Sequence, residues 1–339
     1  MKIKVLISFF LIWNFVLGQT IPEDDLEILQ KRISNKTFLN QTLNYSNLSY
    51  VSPPFLDIGN PKSWYILSAD ISPQFVIGGS WMKFPIHLTP RYKVRIFHEN
   101  PNIGDTSLPV RTPSYMPGAS IYIPLKKINE NTLKLKYLSI SFFHHSNGQD
   151  GNEFDSTNAF NLYNGNFKTN FFEPAFHFRN RILMESKNKA ACKNSKAEYF
   201  DLYGKLGIEK HINTAEQLKN SYGDYRLNFT MGLIRVRNFC DLINGHQYEE
   251  SYVREKYRIV LNSTAILGSR TILNEASKRI NLNLNYHWRI PSSPNTSLFI
   301  GGGYFGSDTY NIYYSQNYFY LNAGLSLGFF VTPNMIGLE

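Results

Sequence analysis

The stretch Ile280-Asn281-Leu282-Asn283-Leu284-Asn285-Tyr286-His287-Trp288-Arg289-Ile290 carries an apolar or aromatic residue at every even position and a polar one at every odd position. Successive side chains of a β-strand point to opposite faces, so the run predicts a strand with one oily face and one wet face. Period two held over this length argues against a helix. Residues 225–233 and 319–329 repeat the pattern. About 9–11 residues is the length of a strand tilted across the hydrocarbon of a bilayer.

Working outward, further strands are expected at 63–78, 82–98, 110–125, 132–146, 167–181, 199–210, 255–267 and 297–306, separated by turn clusters such as Asn244-Gly245 and Ser292-Ser293-Pro294-Asn295. Pro85 and Pro90 within 82–98 leave room for a break and an additional strand there. The total is eleven or twelve, and bacterial barrels take the even number. Composition agrees: aromatic residues reach 15%, and no window after the N-terminus offers the ~20 continuous apolar residues of a spanning helix. Aromatic side chains concentrate where a barrel wall meets the two membrane interfaces. The expected fold is all-β, a transmembrane antiparallel β-barrel of about 12 strands. A soluble sandwich also alternates, but it rarely keeps large aromatics on the outward face of so many strands.

The N-terminus reads Met1-Lys2-Ile3-Lys4, then an apolar run over 5–17 interrupted only by Ser8 and Asn14, then Gly18-Gln19-Thr20. This is the pattern of a secretory signal peptide, expected over 1–18. Residues 19–60 are polar and irregular, with a short helical pattern near 23–33, and are expected to form a periplasmic or plugging segment; 61–339 is expected to be the barrel. Formal charge is +9, with Lys2 and Lys4 supplying two units. The remaining Arg and Lys are spread along the chain rather than gathered in a stripe, which excludes a nucleic-acid partner. Cys192 and Cys240 are the two cysteines; in an exported protein they are able to form one disulfide, and sequence alone does not fix their separation.

Chemistry concentrates at Phe142-Phe143-His144-His145-Ser146-Asn147-Gly148, the end of the 132–146 strand. By parity His144 and Ser146 share the face of Leu138, Ile140 and Phe142, so a base and a hydroxyl nucleophile sit together on an apolar wall. A soluble hydrolase puts such a pair in a polar cleft; an enzyme acting on lipid is free to put it where lipid is. A His-x-Ser pair alone is a weak signal. Asn147-Gly148 adds a turn that exposes backbone N–H groups, and the next strand places Asn170 on the same outward face as Phe172, Phe176 and Phe178. His177 and His287 fall on the other face and read as structural groups of the lumen.

With these residues in view, the sequence resembles the outer membrane phospholipase A family of twelve-stranded barrel enzymes. The family's His-x-Ser-Asn-Gly motif is matched by His144, Ser146, Asn147 and Gly148. Its upstream Pro-Phe-Arg-x-x-x-Tyr-x-Pro segment is matched, with Val110 in place of Phe, by Pro109-Val110-Arg111-Thr112-Pro113-Ser114-Tyr115-Met116-Pro117. The resemblance is clear over about 105–180 and architectural elsewhere. It implies a bacterial outer-membrane enzyme, a homodimer when active, that hydrolyses acyl esters of phospholipids and lysophospholipids with calcium. It further implies Ser146 as nucleophile, His144 as base and an Asn that orients the imidazole. Family spacing puts that Asn at Asn158; a twelve-residue loop insertion puts it at Asn170, which strand facing favours. Gly148 takes the oxyanion position. Backbone carbonyls of Gln149 and, from the partner subunit, Leu108 take calcium positions, with Asn166 as a third ligand and Asp150 as its alternative. A barrel without catalysis, a pore or an adhesin, is the competing reading; it gives no reason for a hydrophilic pair on the lipid face.

Overall fold

The computed structural model describes residues 38–331 apart from 40–41, 44, 59–64, 78–83, 98–109, 111–112, 126–133, 162–163, 184–197, 215–217, 219–220, 238–254, 269–274, 291–292, 294–295, 312–313, 315 and 329. The expected signal peptide, Leu108, Cys192 and Cys240 lie outside the described residues.

The strands in chain order are β1 (Ser49–Ser52), β2 (Pro54–Ile58), β3 (Tyr65–Ile71), β4 (Gln74–Ile77), β5 (Ile86–Phe97), β6 (Ser114–Pro124), β7 (Lys134–Ser146), β8 (Lys168–Leu183), β9 (Glu198–Ile212), β10 (Tyr225–Arg237), β11 (Glu255–Leu267), β12 (Ile280–Arg289), β13 (Thr296–Phe305), β14 (Tyr318–Leu327) and β15 (Phe330–Val331). Each long strand pairs antiparallel with its sequence neighbours, and β1 and β2 both pair with β14, which closes the sheet on itself. The halves β1/β2 and β3/β4 each count as one wall strand, so the wall is a closed barrel of twelve. Closure leaves no unpaired sheet edge, the condition for strands to cross a bilayer.

Two expectations about the first strands are corrected. Region 82–98 hides no break, because β5 runs continuously through Pro90. The additional strand lies instead at β1/β2, within the segment expected to precede the barrel. Pro53 cuts it into pieces of four and five residues, too short for period two to show. The interruption between β3 and β4 has the same origin. The register Ile71↔Tyr92 and Phe75↔Leu88 sets Pro73 beside Pro90, and Pro90 faces Pro117 on its other side. A proline has no N–H for the ladder, so the β3/β4 side breaks at Pro73, while β5 stays paired with β6 through Pro90 and Pro117.

Facing follows the sequence. Along β12 Leu282, Leu284, Tyr286 and Trp288 are exposed, whereas His287 and Arg289 are buried. The exposed large hydrophobics, among them Ile140, Leu206, Ile208, Ile300 and Phe319, belong to the outer surface of the wall. Apolar patches of that extent mark a lipid contact. The interior is polar and paired: Arg181 holds Asp201 through two bonds of 2.7 and 2.8 Å, and Lys205 meets Glu173 at 2.6 Å.

Ahead of β1, Phe38, Thr42 and Tyr45 lie inside the barrel. The Thr42 hydroxyl is 3.0 Å from His87 Nε2, Tyr45 donates to Asp201 at 2.9 Å, and Phe38 packs edge-on against Tyr137. At the other end Phe160, Phe167, Leu218, Tyr222 and Tyr314 form an apolar cluster contributed by the connecting loops. Between the two lies a polar-lined cavity of about 470 Å³.

Candidate active site on the outer wall

The site forms where β7 ends and β8 begins. Along β7 the exposed residues are Lys134, Lys136, Leu138, Ile140 and Phe142, and the buried ones Leu135, Tyr137, Ser139, Ser141 and His145. Parity puts half-buried His144 and Ser146 on the outer wall. The β7–β8 register pairs His144 with Asn170 and Ser146 with Lys168. Across that first pair, His144 Nδ1 and Asn170 Oδ1 lie 2.7 Å apart. With the amide oxygen accepting, Nδ1 carries the proton and the Nε2 lone pair is left available. Neither the Ser146 hydroxyl nor Nε2 has a hydrogen bond among the described residues, so the serine and the imidazole are neighbours on one face without being bonded.

The two sequence segments that carry the resemblance meet in space. Tyr115 of β6 stands opposite Ser146, and the same register brings Pro117 alongside His144, where the ladder is interrupted between Tyr115↔Ser146 and Gly118↔Phe143. Gly148 has φ +62°, the left-handed region that favours glycine. A Cβ there would lie 2.6 Å from the Tyr115 ring. Glycine is therefore required twice, by backbone conformation and by Tyr115 underneath, and its N–H has no backbone partner among the described residues.

Asn147 fixes the turn from within. It is fully buried; its side-chain N–H donates to the Gly165 carbonyl at 2.7 Å, and its oxygen accepts from Phe167 N at 3.1 Å and Gln149 N at 3.5 Å. Asn311, from the loop between β13 and β14, donates to the carbonyls of Phe167 (3.1 Å) and His145 (3.4 Å) and accepts from the Tyr222 hydroxyl at 3.1 Å. Sequence reading missed this strut: Asn311 carries no motif, and its partners lie 89 to 166 residues away on the chain.

The segment between Gly148 and β8 is a folded loop. Gly151 N donates to Asn164 O at 2.9 Å and Asn166 N to Gly151 O at 3.0 Å. At its tip Asp155 accepts from Thr157 N, the Thr157 hydroxyl and Ala159 N. These bonds hold the exposed carboxylate below its usual range. Asn158 sits at this tip, exposed, with φ +62°. The structure thus brings Asn170, not Asn158, to His144. Gln149, Asp150 and Asn166 lie on the two facing arms of the loop, and the side chains of Asp150 and Asn166 make no hydrogen bond among the described residues. No group of three or more His, Cys, Asp or Glu residues converges among the described residues.

Fold and site together define a transmembrane β-barrel that carries a His–Asn pair and a serine on its lipid-facing wall. No family model and no curated protein matches the chain. Solved structures similar in fold are outer membrane phospholipase A from Escherichia coli, with TM-score 0.49 and 10% identity over 83% of this chain and 96% of that one, and the calcium-bound dimer of the Salmonella typhi outer membrane phospholipase, with TM-score 0.48 and 12% identity over 87% and 98%. An active-site mutant of the Escherichia coli enzyme, with an asparagine changed to alanine, gives 0.48 and 10% over 83% and 90%. At such scores the likeness assigns no role to this chain's residues.

Proposed function

We propose that this protein is a bacterial outer-membrane acyl hydrolase that cleaves ester bonds of phospholipids and lysophospholipids, with calcium and as a homodimer. The observation that carries the reading is the 2.7 Å contact between His144 and Asn170 on the lipid-facing wall, two residues from Ser146. Burying polar groups against hydrocarbon is costly, and a wall with no chemical task has no use for a serine, an imidazole and an amide there.

In this reading Ser146 Oγ attacks the ester carbonyl carbon while His144 Nε2 takes the hydroxyl proton. The proton then passes to the departing glycerol oxygen, and water releases the acyl group from Ser146 by the same base. Asn170 keeps the imidazole in the tautomer with Nε2 free and steadies the imidazolium as it forms. Gly148 N–H, at the turn and without a backbone partner among the described residues, is the donor to the developing oxyanion.

The loop fits a calcium ion in chemistry. Gln149 offers a carbonyl, and Asp150 and Asn166 offer side-chain oxygens with no hydrogen bond among the described residues, all hard donors of the type calcium takes. Three oxygens fall short of the six to eight of a full shell, which leaves positions for water and for the Leu108 carbonyl of the partner subunit. When bound, the ion supplies positive charge to polarise the ester carbonyl.

A pore reading is weaker here because Thr42 and Tyr45 stand inside one end of the lumen and bond to its wall. The direct test is Ser146→Ala in the detergent-folded protein. Phospholipid hydrolysis should vanish while the heat-modifiable mobility of the folded barrel stays, since the hydroxyl makes no hydrogen bond among the described residues. Activity within a few-fold of wild type would show that Ser146 is not the nucleophile.

A further inference from the structure

Three tiers of outward residues cross the wall at the site. The lowest is apolar: Leu88, Ala119, Phe142 and Phe172 stand in register on β5, β6, β7 and β8. The middle one holds Pro90, Pro117, His144 and Asn170. The uppermost, toward the loops, is Tyr92, Tyr115, Ser146 and Lys168. Tyr92 and Tyr115 rings lie 5.0 Å apart, as interfacial aromatics do. Lys168 ends the row.

Lys168 is exposed and makes no ion pair or cation–π contact among the described residues. Lys210 on the next strand, opposite Phe172 in the register, instead lies over the Tyr225 ring at 3.9 Å. The nearby carboxyl is Glu153, which burial raises and the Lys168 charge lowers, without a contact between them. Directly opposed residues in an antiparallel pair are about 4.5–5.5 Å apart at Cα, so the Lys168 stem starts beside Ser146 and reaches toward the aqueous side. In a glycerophospholipid the phosphate lies a few bonds from the ester carbonyl, also on the aqueous side, with the acyl chains opposite.

We propose that Lys168 is the headgroup subsite, taking the phosphate of a membrane glycerophospholipid while its acyl chains lie on the Leu88–Ala119–Phe142–Phe172 tier. This rests on the hydrolase reading for the orientation of the ester, but binding at Lys168 requires no turnover. An ammonium is a point-charge phosphate ligand, and the neighbouring apolar tier distinguishes a lipid from a free anion.

The test is equilibrium binding of a short-chain dialkyl ether phosphocholine, which cannot be hydrolysed, to the detergent-folded full chain. Dialkylglycerol of the same chain length and glycerophosphocholine are the comparison ligands. Lys168→Gln should weaken the ether phospholipid about five- to tenfold, the effect of one cation near a lipid surface. It should leave dialkylglycerol unchanged, and Lys168→Arg should retain affinity. Equal affinity of Lys168→Gln and wild type for the ether phospholipid overturns the proposal, as does glycerophosphocholine binding as tightly as the lipid. If the wild type binds the ether phospholipid through Lys168 yet hydrolyses no ester, the hydrolase reading fails and the subsite stands.

Discussion

Replacing Asn170 by alanine removes the one hydrogen-bond partner that the His144 imidazole has among the described residues and changes little else. The bond is 2.7 Å long and partly buried. Between neutral groups such a bond contributes about 0.5–1.5 kcal/mol to stability, and about 1.5–3 kcal/mol once one partner is charged. The imidazole becomes charged only as the serine proton moves onto it, so the larger figure applies to the transition state. At 1.36 kcal/mol per decade, 1.5–3 kcal/mol is about a ten- to hundredfold loss of turnover. Asn170→Ala should therefore lower kcat by up to about two orders of magnitude with KM nearly unchanged, measured on phospholipid in mixed micelles. Asn170→Asp keeps an acceptor at the same place and should recover most of the rate. Asn158→Ala, at the loop tip, should do nothing to turnover. Should the Asn158 variant be the damaged one and the Asn170 variant active, the account of the orienting residue is wrong, and the family spacing holds without an insertion.

Other consequences follow from the same geometry. Gly148→Ala forces a methyl toward the Tyr115 ring in a left-handed backbone, at about 1–2 kcal/mol for the conformation alone; hydrolysis should fall at least tenfold while the barrel still folds, and unchanged activity would remove Gly148 from the oxyanion site. Spin labels at 282 and 284 should be reached by a lipid-soluble quencher and labels at 283 and 285 should not; reversed accessibility would overturn the orientation of the wall. Excess chelator should abolish hydrolysis, and calcium should restore it best under conditions where cross-linking captures dimers. Full activity of a chelated monomer contradicts the ligand set of Gln149, Asp150, Asn166 and the partner's Leu108.

The wall was legible because its two solvents enforce parity. A residue in β12 faces lipid or lumen according to odd or even number, and both the barrel and the outward pair His144 and Ser146 follow from that alone. The same parity separated Asn170, on a strand, from Asn158, in a loop. Parity failed at β1/β2, where Pro53 leaves fragments too short to alternate visibly. It also says nothing of contacts made across the barrel or over its mouth. Asn311 supports the His145 and Phe167 carbonyls from a loop far along the chain, and Thr42 and Tyr45 reach the lumen wall through bonds to His87 and Asp201; neither leaves a local signature. The pairing of Lys168 with Ser146 depends on register, which the hydrophobic pattern fixes only to within two residues.

Whether Ser146, on the lipid-facing wall, is a nucleophile activated by His144 is tested directly by an alkyl sulfonyl fluoride added with calcium to the detergent-folded protein, with the modified peptide identified by mass spectrometry. The account predicts one sulfonyl group, on Ser146, and loss of labelling in His144→Ala and in thermally unfolded protein. Hydrolysis that persists with Ser146 unlabelled, or a label that settles on a different serine and abolishes activity, would contradict it.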